Sequence, residues 1–125
     1  MPGITVLCPT KGRPDAVAEA YTSFIRTKAL PSTRLLFVVN ASDDEPGYAQ
    51  VPYLRLPEDH DWMNEVLAEG AQAALIEGAD IIGFIGDDNR FETKGWDEVI
   101  TDVLRDGGFA YGDDLLQRQN LPSHV

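Results

Sequence analysis

The chain contains one cysteine, Cys8. That count excludes an intramolecular disulfide and a cysteine zinc cluster. Because Cys8 ends the apolar run Ile4–Cys8, a buried and inert thiol is expected. The two histidines, His60 and His124, lack the paired spacing of a zinc site. No Ser/His/Asp or Cys/His arrangement with a recognisable local sequence is present either, which argues against a hydrolase. No apolar run approaches the roughly 20 residues needed to cross a bilayer, and the N-terminal residues lack the basic start and long apolar stretch of a signal peptide. A cytoplasmic protein is the expectation. Positive charge is also scarce: 10 Lys and Arg stand against 21 Asp and Glu, a net charge of −11. Within residues 1–40, however, Lys11, Arg13, Arg26, Lys28 and Arg34 face only Asp15 and Glu19. The acidic remainder repels phosphate backbones, so direct nucleic-acid binding is not expected, and a small polyanion would need a cation or those local basic groups.

Apolar residues at 43% and charged residues at 25% form an ordinary globular mixture, and no linker, low-complexity tract or internal repeat divides the chain. A single domain over 1–125 is expected. Ile4–Cys8 reads as the first strand. Pro14 suits a helix's first turn, and Val17, Ala18, Tyr21, Phe24 and Ile25 follow at helical spacing. The uninterrupted apolar run Leu35–Val39 predicts a strand covered on both faces, ending at Asn40 before a polar loop, Ala41–Gly47. Val51–Leu56 is a weaker third strand, since Pro52 cannot donate to a ladder. With Asp59 or Asp61 as its cap, a helix then carries Met63, Val66, Leu67, Ala71, Ala74 and Leu75, and Gly78 closes it. Ile81–Ile85 is a further fully buried strand. A last helix carries Trp96, Val99, Ile100, Val103 and Leu104, ends at Gly107 and Gly108, and leads to a short strand, Phe109–Tyr111. Such alternation predicts an α/β fold, a mostly parallel sheet sandwiched by helices.

Ligands of open parallel sheets bind beyond the carboxyl ends of the strands. The segments so placed are Pro9–Arg13, Asn40–Glu45, Gly86–Arg90 and Gly112–Asp114, and three of the four are rich in carboxylates. In Asp87-Asp88-Asn89, two carboxylates and an amide leave an apolar strand together, a set of hard oxygen donors suited to Mg²⁺ or Mn²⁺. A simple turn made by the same residues is the alternative. Pro9-Thr10-Lys11-Gly12-Arg13-Pro14 sets a hydroxyl, two cations and a glycine before a helix N-terminus, a place that favours anions. It lacks the glycine, lysine and serine spacing of a P-loop, and an ordinary solvated turn is the other reading. After the second strand, Asn40 and Asp43 lie in a polar loop whose side chains can accept hydrogen bonds from a nucleobase or ribose. Trp96 and Asp97 read as structural, the first opening an apolar stripe and the second favouring a helix N-terminus.

These pieces, in this order from Ile4 to about Asp114, resemble the family 2 glycosyltransferases and their Rossmann-like GT-A nucleotide-sugar-binding fold. The resemblance implies that Pro9, Thr10, Arg13, Asn40, Asp43 and Asp87 contact the nucleotide, with Thr10, Arg13 and Asp43 at the base. It also implies that the acidic motif after the fourth strand, written Asp-x-Asp, holds a metal and the pyrophosphate. Aligning Phe84–Asn89 with that motif sets Gly86 at the place of its first acid and Asp88 at the second, making Asp88 the leading cation ligand, then Asp87, then Asn89.

The implied activity is metal-dependent transfer of a sugar from a UDP- or GDP-sugar to an acceptor hydroxyl. Asp113 or Asp114 is the candidate general base, and ordinary surface or loop carboxylates are the other reading of both. In enzymes of this type the base and acceptor pocket generally come from sequence further along, so the acceptor portion is expected to be short or missing. An apolar face left uncovered could then drive self-association into a homo-oligomer. Two other readings stand beside the transferase: a non-catalytic or truncated nucleotide-sugar-binding module, and a nucleotidyltransferase, though the glycine-rich, lysine-containing first loop of the latter is missing.

Overall fold

A computed structural model describes residues 3–43 and 46–104. The predicted strand at 109–111 and the candidate bases Asp113 and Asp114 lie outside them. The apolar runs form the strands β1 (Ile4–Pro9), β2 (Arg34–Val39) and β4 (Ile81–Phe84), and a short β3 (Tyr53–Arg55) joins them. All pairings are parallel, in the order β3-β2-β1-β4. Three helices accompany them: α1 (Pro14–Thr27), α2 (Met63–Ile76) and α3 (Trp96–Val103).

The period of two along the strands divides the core between two layers. Ile4, Val6, Cys8, Leu35, Phe37 and Val39 face Val17, Ala20 and Phe24 of α1, with Trp96 and Ile100 of α3 on the same side. Leu7, Leu36 and Val38 face Val66 and Ala74 of α2 on the other. Right-handed connections require this arrangement. From β1 through β2 to β3 the chain advances one way across the sheet, by α1 and then by a 3-10 turn, Pro46–Gln50, whose Tyr48 packs in the α1 layer. The step from β3 to β4 runs the opposite way, so α2 must cross on the opposite face. Gly70 allows α2 to lie close, because a Cβ there would stand 3.0 Å from Val38 Cγ2.

Several sequence expectations shift in register or burial. β4 is not fully buried: at the end of the described sheet it pairs only with β1 among the described residues, and Phe84 is 55% exposed. On α1 the covered stripe is Val17, Ala20, Phe24 and Thr27, while Ala18 and Ile25 face out. The third strand shrinks to Tyr53–Arg55 because Pro46–Gln50 coils before it and Pro52 breaks the approach. Neither Asp59 nor Asp61 caps α2; Trp62 holds the cap position without a side-chain bond, and Asp59 instead accepts from Ser42 N and Oγ at 2.9 and 2.8 Å. Gly78 does follow the end of α2, its N–H donating to Leu75 O at 3.0 Å. No helix among the described residues is long and apolar enough to cross a membrane.

Asp97 has a larger role than a helix-terminus charge. Its side chain is 0% exposed and accepts from Ala29 N, Leu30 N and the Thr33 hydroxyl at 2.8, 2.8 and 2.6 Å. These donors belong to the turn between α1 and β2, so one carboxylate ties α3 to the opening of the central strand. Trp96 adds to the tie, its Nε1 donating to Thr27 Oγ1 at 3.0 Å. Burial pushes the Asp97 carboxyl up, but the bonds from Thr33, Leu30 and Ala29 outweigh it and hold it below the usual range. The lowered value means that Asp97 stabilises the fold fully above the unfolded-state pKa of about 4 and loses that contribution as pH falls through the folded-state value. Replacing it by alanine strands two backbone donors and a hydroxyl and should cost about 3 kcal/mol at pH 7. Urea titrations of wild type and Asp97→Ala at pH 7 and pH 3 check both points: the gap between the two proteins should narrow in acid.

Candidate functional site

The strand order reverses at β1, whose neighbours β2 and β4 are reached in opposite directions, and such a reversal opens a crevice at the carboxyl ends. Two segments meet there. Thr10 and Arg13 follow β1, Asp87 and Asp88 follow β4, and the Asp87 carboxylate joins them. Thr10 Oγ1 donates to Asp87 Oδ2 at 2.8 Å, and Arg13 Nη1 donates to Asp87 Oδ1 at 3.0 Å. Asp87 is only 8% exposed, so both bonds are charge-assisted in a partly dry setting. Arg13 stays mostly exposed, which leaves its other guanidinium donors free to meet a ligand.

Asp87, Asp88 and Asn89 do make a turn. Asn89 N donates to Gly86 O at 3.1 Å, and Gly86 N donates back to Asn89 Oδ1 at 2.9 Å. A Cβ at Gly86 would come within 2.9 Å of Asp88 Oδ1, the end of an exposed side chain. An acid could not stand at Gly86 without moving Asp88. Arg90 braces the turn from behind, donating to Asp87 O at 2.8 Å and to Glu19 Oε2 on α1 at 2.7 Å. Turn and site readings are therefore compatible: the turn fixes Asp87 inward and leaves Asp88 exposed at the crevice.

The first loop is held from its other side. Gly12 N donates to Asp43 Oδ2 at 3.0 Å and to Tyr48 Oη at 2.9 Å, and the Tyr48 hydroxyl donates to Asp43 at 2.8 Å. Asp43 thus anchors the loop that carries Thr10 and Arg13. Burial, then the bond to Asp43, raises the Tyr48 phenol above its usual value, so the hydroxyl remains a donor at neutral pH. Asn40 pairs with the backbone of His60 in both directions, each bond 3.0 Å, which ties the segment after β3 to the carboxyl end of β2.

The result is a cleft of about 450 Å³ lined on one side by Pro9, Thr10, Lys11, Arg13, Asp87 and Asp88, and on the other by Asn40, His60, Asp61, Trp62, Met63 and Val66. Its size falls within the roughly 300–1,000 Å³ of small-molecule sites. Of the residues expected at the site, Pro9, Thr10, Arg13, Asn40, Asp87 and Asp88 line it together. Asp43 is not among its lining residues and supports it, while Asn89 turns its carbonyl onto Gly86. The wall from His60 to Val66 was not anticipated, although the rule that assigns sites to segments after parallel strands reaches residues 57–62 as soon as β3 is parallel. On that wall His60 Nε2 is buried without a hydrogen-bond partner among the described residues.

A divalent ion held by one or two carboxylates keeps positions open for phosphate oxygens. Asp88 suits that role, being an exposed carboxylate on the cleft. Among the described residues no three His, Cys, Asp or Glu side chains gather around one point. The donor set therefore fits an ion shared with a ligand better than a self-sufficient cage.

Cys8 lies under this edge, fully buried. Burial foremost, then the Asp87 charge, pushes its thiol up to about 12, with Arg90 pulling the other way. The inert thiol expected from the sequence predicts no reaction with a thiol reagent in the native protein at pH 8 and full reaction in denaturant. Native labelling at a free-thiol rate would show that the edge opens.

Neither the known family models nor the curated protein sequences give a match to this chain.

Proposed function

We propose that the chain is the donor-binding domain of a metal-dependent glycosyltransferase with a Rossmann-like, GT-A type of fold, taking a UDP- or GDP-sugar and passing the sugar to an acceptor hydroxyl in the cytoplasm. The observation that carries the reading is the junction of Thr10 and Arg13 with Asp87 across the β1/β4 reversal, with Asp88 exposed beside it on one cleft. Nucleotide phosphates bind at such reversals in doubly wound sheets. On this reading Arg13, which the resemblance assigns to the base, is instead drawn by Asp87 to the β4 side and directs its free donors at the diphosphate, and Lys11 on the same cleft adds a second positive charge. Asp88 would hold Mn²⁺ or Mg²⁺ beside the same diphosphate, while Asp87 keeps its oxygens on Thr10 and Arg13 and Asn89 keeps its side-chain oxygen on Gly86 N. When bound, the ion neutralises charge on the leaving diphosphate. Asp113 or Asp114, outside the described residues, is the candidate for the base that would take the proton of the attacking hydroxyl, a surface carboxylate being the other reading of both.

An ion shared between Asp88 and the ligand makes the two binding events reciprocal. Calorimetry should show Mn²⁺ tightening UDP or GDP binding, the nucleotide tightening Mn²⁺ binding by the same factor, and excess chelator abolishing both. Asp88→Asn should weaken metal-dependent nucleotide binding about tenfold or more, as loss of metal-site groups commonly does. Tight binding without metal, or no binding of any nucleotide, contradicts the proposal. A transfer or hydrolysis assay with the sugar nucleotide then separates an enzyme, which turns over, from a binding module, which does not.

A further inference from the structure

The cleft has two unlike walls. One carries Lys11, Arg13, Asp87 and Asp88; the other presents Trp62 and Met63, which are 69% and 60% exposed. The Trp62 backbone carbonyl accepts from Glu65 N and Val66 N at the start of α2, but among the described residues its indole has no hydrogen bond and no ring partner. The other tryptophan behaves in the opposite way, stacking on Phe91 at 4.7 Å and donating to Thr27. A large aromatic face left wet on the wall of a charged cleft suits a ligand that is ionic at one end and flat and apolar at the other.

The position of Trp62 along the sheet edge says which end. Asn40 at the carboxyl end of β2 is bonded both ways to the backbone of His60, so Trp62, two residues later, is held on the β2 side of the cleft. Asp87 and Asp88 are on the β4 side. In the dinucleotide-binding members of doubly wound sheets the pyrophosphate sits at the turn after the first strand, and an acid about 20 residues on, near the end of the second, holds the ribose. A diphosphate over Arg13 and Asp88 therefore sends its nucleoside toward β2 and toward the indole.

We propose that Trp62 is the platform on which the nucleobase of the nucleoside diphosphate stacks, an assignment that rests on the donor-site reading above. Every base has a π face, so stacking holds a pyrimidine or a purine alike and leaves the choice of base to other groups. The sugar end of the donor then lies away from α2.

Calorimetry in Mn²⁺ with UDP, GDP, UDP-glucose and inorganic pyrophosphate tests this on wild type, Trp62→Ala and Trp62→Phe. The exposed side chain can be removed without opening the core, and circular dichroism verifies the fold. Trp62→Ala should weaken UDP, GDP and UDP-glucose alike by about tenfold or more, leave pyrophosphate unchanged, and be largely rescued by phenylalanine. Unchanged nucleotide affinity in Trp62→Ala overturns the stacking assignment while the donor site stands. A loss confined to UDP-glucose overturns it as well, since the indole would then meet the sugar. If wild type binds neither nucleotide nor pyrophosphate, the donor-site reading fails and the stacking assignment falls with it.

Discussion

Asp87 leaves the last described strand with its carboxylate turned inward, where Thr10 and Arg13 close on it from the loop after the first strand. Those two segments are 74 and 77 residues apart in the chain and meet because parallel pairing of β1 with β4 brings their carboxyl ends side by side. The rest of the cleft is set by that meeting. With Asp87 occupied by Arg13, the guanidinium is aimed, Asp88 is left outward by the Gly86–Asn89 turn, and the loop is steadied from behind by Asp43 and Tyr48. A carboxylate next to an exposed cation also limits the local charge, which matters in a chain of net charge −11. A polyanion meets net repulsion from such a chain, and the cleft sets Lys11 and Arg13 beside the Asp87 and Asp88 carboxylates.

The same economy of carboxylates appears on the opposite side of the molecule. Asp97 has no role at the cleft, yet it is the more deeply buried acid, satisfied by the turn that opens β2. β2 sits between β1 and β3 and ends at Asn40, so the register of β2 decides where Asn40, and through it the His60 to Met63 wall, comes to lie. A structural acid at one end of the central strand and the cleft at the other are thus linked by the strand itself.

Much of the fold was legible because its signals are local. The apolar runs Ile4–Cys8 and Leu35–Val39 have strand length and are rich in β-branched and apolar residues, and Pro14 and Gly78 mark helix ends by backbone geometry alone. Burial was less legible where it depends on neighbours: the composition of Ile81–Phe84 is that of an interior strand, but pairing on one side among the described residues leaves Phe84 half wet. The site divides in the same way. Thr10, Arg13, Asp87 and Asp88 could be named because they follow strands. That Asp87 binds Arg13 rather than facing outward, and that Asp43 supports the loop from behind, are contacts across 74 and 31 residues that no spacing encodes. Asp97 resembled a helix-terminus charge because its partners are equally distant. Trp62 was missed because the weak third strand gave little reason to look beyond its end.

If a cation and a nucleoside diphosphate meet at the β1/β4 crevice as proposed, Mn²⁺ serves there as a paramagnetic probe. In amide spectra of the isotope-labelled chain with UDP and substoichiometric Mn²⁺, residues 10–13 and 86–89 should broaden selectively, with the α3 amides of residues 96–103 unaffected. Broadening spread over the acidic surface, or centred away from Asp88, would contradict the proposal.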